Sequence, residues 1–339
     1  MHHKFLLLQL AASLTLAPAS FGQLVATPIP PGAGVVTAAK KFLASLDETQ
    51  RSKVVFDFKD AAQRKRWSNL PTSFVKRAGL RMGDLTGEQR KGVMAILQAA
   101  LSPQGYEKIF QIVEADENLK QTSNQTIFGR DEYYVSFLGQ PSSTEPWMIQ
   151  FGGHHLAINL TRAGSQGTLA PSHTAAQPAV FELEGKTIRP LGRETDKAFA
   201  LMATLDEAQR KQAILGSQMR DLVLGPGRDG QTIQPEGIKG SALTEKQREM
   251  LLDLAGEWSG IAQEAIAKAK MEEMRKNVGE TWFAWSGPTE KGSASYFRIQ
   301  GPTVIIEYAP QKLGGDPTKH LHTIYRDPTN EYGKKWWKP

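Results

Sequence analysis

The chain has 339 residues, 41 Lys and Arg against 35 Asp and Glu, a formal charge of +6, and no cysteine. The lack of cysteine excludes disulfides, thiolate metal sites, Cys nucleophiles and a Cys-linked lipid anchor, so any metal must be held by His, Asp, Glu or backbone oxygen. Bases are interspersed with acids everywhere except Lys334–Lys338, and no zinc-finger, RNP or helix-turn-helix pattern is present, so nucleic acid is not an expected partner.

In chain order, Met1 to Lys4 is a positive n-region, Phe5 to Ala17 an apolar run, and Ser20-Phe-Gly22 a set of small residues suited to cleavage. This predicts a signal peptide over 1–22 and an exported protein. The run is too short to cross a bilayer comfortably, and no later segment is long and apolar enough, so no membrane span is expected once the leader is removed. Residues 23–39 read as an extended lead-in.

One pattern then occurs four times: Leu46-Asp-Glu-Thr-Gln-Arg51, Leu85-Thr-Gly-Glu-Gln-Arg90, Leu205-Asp-Glu-Ala-Gln-Arg210 and Leu243-Thr-Glu-Lys-Gln-Arg248. Each is a helix start, with Asp or Thr capping free N–H groups and an acid near the positive end of the dipole. The copies form two pairs, spaced 39 and 38 residues apart. Each pair precedes a hairpin-like segment: Tyr133–Gly139 with Trp147–Phe151, and Trp282–Gly287 with Tyr296–Gln300. Ile149-Gln150 matches Ile299-Gln300, and on that register Asn159 falls opposite Glu307.

These observations predict an α+β fold that is internally duplicated, each half a helical pair plus an antiparallel β-hairpin or sheet. The halves span 40–165 and 200–327, with 166–199 connecting them and 328–339 as a C-terminal tail. Residues 163–180 and 225–240, rich in Gly, Pro and Gln, read as loops.

The stretches Phe151–Asn159, Arg189–Asp196, Thr281–Pro288, Tyr296–Pro302, Val304–Tyr308 and His320–Asp327 resemble an exported family catalogued as domain of unknown function 3500. The resemblance covers most of the chain beyond the leader. It implies export and supports the boundaries, but it implies no activity.

Beyond the leader, histidine occurs only as His154-His155, His173 and His320-Leu-His322. If Leu321 to Tyr325 is a strand, His320 and His322 point to one face, a common way to give a metal two nitrogen ligands. Thr303 to Tyr308 is the expected neighbour, which sets Glu307 beside the pair as ligand or general base. His154 and His155 are expected to alternate faces on a strand, so that one ligates while the other packs. His173, in a Pro-flanked loop, reads as a mobile ligand, a proton carrier or a surface residue. Asp327 is a candidate to orient a ligating His. Arg298 is a candidate to hold an anionic substrate group, or to pair with Glu307 or Asp327.

Three His with a carboxylate suit zinc for hydrolysis, and iron or copper for oxygen chemistry. The reading is therefore an exported protein with a divalent metal, acting as a metal-dependent enzyme on a small extracytoplasmic molecule. Its rival is a non-catalytic protein that binds a small ligand or sequesters metal. A metal-free core, with the histidines satisfied by Glu307, Asn159 and backbone carbonyls, is the third option.

Overall fold

The computed structural model describes residues 33–313 and 315–337. The expected leader lies outside the described residues. The helices are α1 (Ala33–Ala44), α2 (Glu48–Val54), α3 (Ala61–Arg64), α4 (Gly87–Ala100), α5 (Pro103–Ser123), α6 (Gly192–Thr204), α7 (Glu207–Ala213), α8 (Glu245–Ser259) and α9 (Glu264–Lys276). The strands of the first part are β1 (Val55–Phe56), β2 (Leu80–Arg81), β3 (Tyr134–Leu138), β4 (Trp147–Gly152), β5 (Leu156–Ala163), β6 (Gln166–Thr168) and β7 (Ser172–Ala176). They are followed by β8 (Phe181–Leu183), β9 (Lys186–Ile188), β10 (Ile238–Lys239), β11 (Trp282–Ser286), β12 (Tyr296–Gly301), β13 (Val304–Pro310) and β14 (Leu321–Arg326).

All four Leu-acid-Gln-Arg segments start helices as their capping chemistry predicts. Asp47, Thr86, Asp206 and Thr244 cap α2, α4, α7 and α8, and each forms a capping box with the Gln three residues on. The Gln residues also join the paired starts, because Gln89 Nε2 donates to Gln50 Oε1 at 2.9 Å and Gln247 Nε2 donates to Gln209 Oε1 at 2.9 Å. Gln247 additionally donates to the Thr204 carbonyl. Gln247→Ala removes a cap partner and a buried cross-link together. It is expected to cost roughly 2 kcal/mol in chemical denaturation.

One sheet of twelve strands runs through the molecule in the order β1-β3-β4-β5-β7-β14-β13-β12-β11-β10, with β2 beside β3 and β6 beside β5. Its two faces differ because residues paired across strands share a side. The row Leu156, Thr174, Thr323, Tyr308, Phe297, Trp285 belongs to the helix-covered face. There the strands pack with Phe42, Ile96, Ile112, Leu201 and Leu254 of the helices, and Trp258 of α8 donates to Thr323 Oγ1 at 2.8 Å. The next row, Ala157, His173, Ile324, Glu307, Arg298, Ala284, belongs to the opposite face. That face carries Ser136, Gln150 and Asn159, and non-helical segments bearing Trp67, Leu222 and Tyr332 cover it.

Two expectations are corrected here. Residues 163–180 are not simply a loop, because β7 is a central strand between β5 and β14. Its Ser-His-Thr-Ala-Ala composition carries little strand propensity, yet ladders on both sides pair its backbone, and Thr174 and Thr323 share a hydroxyl contact at 2.7 Å. The lead-in is not extended to residue 39, because α1 begins at Ala33 and buries Val35, Ala39 and Phe42 at helical spacing. The C-terminal segment is packed, since Tyr332 is buried and donates to Asp229 at 2.5 Å. The segment 225–240 is irregular up to Gly237, as its composition predicts, and ends in β10.

Candidate metal centre

Histidines from three parts of the chain meet at the end of the sheet where β5 and β14 begin. Phe151-Gly-Gly-His-His ends β4 and turns back into β5. A Cβ on Gly152 would lie 2.4 Å from the Leu156 carbonyl oxygen, and one on Gly153 would lie 3.0 Å from the Glu132 carbonyl oxygen. Only glycine permits this close approach. The two histidines therefore sit in the turn before β5, not on a strand, and do not alternate faces. Their rings stack with centroids 3.6 Å apart, and Phe128 lies on His154 at 5.0 Å.

His155 Nε2 lies 3.2 Å from His320 Nε2, which lies 2.9 Å from His322 Nε2. The ligand atoms of these three residues all fall within 4.8 Å of one another. The outer nitrogens face fixed partners. His155 Nδ1–H donates to Asp116 Oδ1 at 2.6 Å, and His320 Nδ1–H donates to the Leu313 carbonyl at 2.6 Å. The Asn69 amide meets His322 Nδ1 at 3.3 Å, and an amide flip lets its oxygen accept from Nδ1–H whenever Nε2 carries the lone pair.

The tautomers follow from these partners. A carboxylate and a carbonyl only accept, so His155 and His320 carry their protons on Nδ1 and lone pairs on Nε2. Two lone pairs then face each other at 3.2 Å. A shared cation removes that repulsion. Three nitrogens at about 2.05 Å from a tetrahedral zinc would stand about 3.3 Å apart, close to what is seen. A carboxylate and a carbonyl behind ligating imidazoles are the usual outer supports of such a centre.

Burial holds all of these imidazoles in the neutral form that ligates. Burial, then the neighbouring His155, lowers the pKa of His154 to about 2. Burial also lowers His320, and takes His155 and His322 well below the ordinary histidine value. Asp116 is pushed up by burial, against the pull of His154 and of the Tyr133 hydroxyl that donates to Oδ2 at 2.7 Å.

Asp116 is the residue that sequence reasoning missed. It sits on α5 in an acid-rich run that reads as a solvated face. The available signal was its place on the stripe Gly105, Ile109, Ile112, Asp116, where helical spacing calls for an apolar residue. Asp116→Asn keeps the shape but removes the charge behind His155. It is expected to weaken metal retention roughly 10- to 100-fold in a chelator competition.

His173 is close by but on β7, not in a mobile loop. It is fully buried and donates from Nδ1 to the Thr323 carbonyl at 2.7 Å. The other three candidates are not brought to the cluster. Glu307 shares the face of the sheet but accepts from the Val223 and Leu224 amides, each at 2.7 Å, and from the Tyr296 hydroxyl at 2.9 Å. Arg298 pairs with Glu236 at 2.9 Å. Asp327, at the far end of β14, pairs with Lys270 at 2.7 Å and accepts from Thr329 and Asn330.

No curated protein and no solved structure matches the chain. The model of a family described as a protein of unknown function, DUF3500, matches residues 30–334. With nearly the whole chain covered, including every residue of the histidine cluster, the protein belongs to the DUF3500 family.

Proposed function

We propose that this chain is an exported protein that holds one divalent metal through His155, His320 and His322, and uses it for hydrolytic or oxidative chemistry on a small extracytoplasmic molecule. The observation that carries the reading is the pair of Nε2 lone pairs of His155 and His320 at 3.2 Å, each with its Nδ1 proton committed elsewhere. Three neutral imidazoles suit zinc, copper or iron, and leave a further coordination position for water or substrate. Asp116 orients His155, and the Leu313 carbonyl orients His320.

The alternative is a non-catalytic protein that sequesters metal or binds a ligand. It is favoured by the burial of the three ligands, none of which is more than 4 % exposed. The segments that contact the cluster through Asn69 and the Leu313 carbonyl also expose Leu70 and Leu313, which suits an apolar ligand. Elemental analysis of untagged protein separates both readings from a metal-free core. About one zinc, iron or copper per chain after dialysis is the expected result, and none would return the histidines to core packing.

The duplication belongs to the same proposal. Its support is the four capping boxes, the two Gln–Gln cross-links, and the antiparallel β7–β14 pair at the middle of the sheet. On that reading the centre draws Asp116 and His155 from one half and His320 and His322 from the other.

A further inference from the structure

We propose that the buried Nε2 of His173 marks the open position of the three-histidine centre, where it accepts a hydrogen bond from a water or substrate hydroxyl bound to the metal. The inference rests on the metal reading above and deepens it. It assigns the side from which the fourth ligand is held, and so favours a reactive centre over a saturated one.

Four observations carry it. First, His173 Nδ1–H is committed to the Thr323 carbonyl at 2.7 Å, so Nε2 bears a lone pair. Second, His173 is 0 % exposed, and no protein group among the described residues donates to that nitrogen. A buried acceptor without a donor is costly, and such an exception asks for a specific partner.

Third, the ring is in the right neighbourhood. It meets His322 edge-on, with centroids 5.2 Å apart and planes at 88°, and has Trp67 stacked at 6.4 Å. Fourth, it is not one of the three residues whose ligand atoms lie within 4.8 Å of one another. It therefore stands one step outside direct ligation. A metal–oxygen bond of about 2.1 Å followed by a hydrogen bond of about 2.8 Å spans such a step.

The position is also rigid. β7 is held between β5 and β14, and the Ala175 amide donates to the His155 carbonyl at 2.8 Å. One ladder thus fixes His173 relative to both His155 and His322. A lone pair held this way orients a bound oxygen without having to move.

The test uses the full chain loaded with cobalt, whose visible spectrum reports coordination, and azide as the competing ligand. His173→Phe keeps a ring against Trp67 and His322 but has no acceptor. His173→Gln keeps a side-chain carbonyl, and His173→Met supplies a second acceptor-free chain that adapts to its surroundings.

All variants are expected to retain about one cobalt. His173→Phe and His173→Met should bind azide about tenfold more tightly than the parent, because the water it displaces has lost a hydrogen bond. They should also shift the cobalt spectrum, and His173→Gln should restore much of the parent behaviour. Loss of cobalt from folded His173→Phe or His173→Met would make His173 a direct ligand and overturn the proposal. So would an unchanged spectrum and azide affinity, or a Gln variant that behaves like Phe. Failure of the parent chain to take up cobalt would instead sink the metal reading itself.

Discussion

Replacing His320 and His322 by alanine, singly or together, is expected to take metal content from about one ion per chain to none while the sheet stays folded. Both residues are nearly buried, and His320 Nε2 stands within 3.2 Å of the other two ligand nitrogens. Removing either leaves two ligands, too few to hold an ion against dialysis. The fold should survive because β14 keeps its ladders to β13 and β7, and its core residues Ile324 and Tyr325 are untouched. His155→Ala should behave in the same way. His154 stacks on His155 and belongs only to the neighbouring group of Asp116, His154 and His155, so His154→Ala should retain metal held by the three nitrogens of His155, His320 and His322. Metal content, read beside circular dichroism, decides. Full occupancy in both His320→Ala and His322→Ala would reject the centre.

Glu307→Ala should show the reverse pattern, a large loss of stability with metal retained. Glu307 is fully buried and accepts from two backbone amides and from Tyr296. Burial pushes its carboxyl up, and those three donors pull it down. Alanine strands the donors, and one buried unpaired group costs about 1–3 kcal/mol, so roughly 3–5 kcal/mol is expected for the set. The segment around Leu224 should loosen as well, although Arg326 still donates to the Leu224 and Gly225 carbonyls. Denaturant melts and metal analysis on the same preparation read both quantities. Loss of metal from a folded Glu307→Ala protein would return this carboxylate to the centre.

The four capping boxes were legible because a cap is local: the Asp or Thr, the Gln three residues on and the free N–H groups all lie within one turn. The hairpin strands were legible for a related reason, since alternating aromatic and aliphatic residues such as Tyr133 to Leu138 and Trp282 to Ser286 carry their own signal. β7 was not legible. Nothing in Ser172 to Ala176 marks a strand, and its partners lie on β5 and on β14, the latter roughly 150 residues away along the chain. Missing β7 cost His173 its place, because a residue read as a loop was in fact locked at the middle of the sheet.

The candidate centre divides along the same line. Composition alone narrowed the candidate ligand type, because a chain without cysteine whose histidines beyond the leader lie in three short segments has few other donors for a transition metal. The spacing of His320 and His322 was also readable, as strand periodicity puts alternate residues on one side. Which carboxylate serves the histidines was decided only by tertiary structure. Sequence proximity favoured Glu307 and Asp327, but the register sends one to the amides of Val223 and Leu224 and the other to Lys270. Asp116 reaches His155 because α5 packs against the sheet at β7 and β5, a long-range contact that no local pattern encodes.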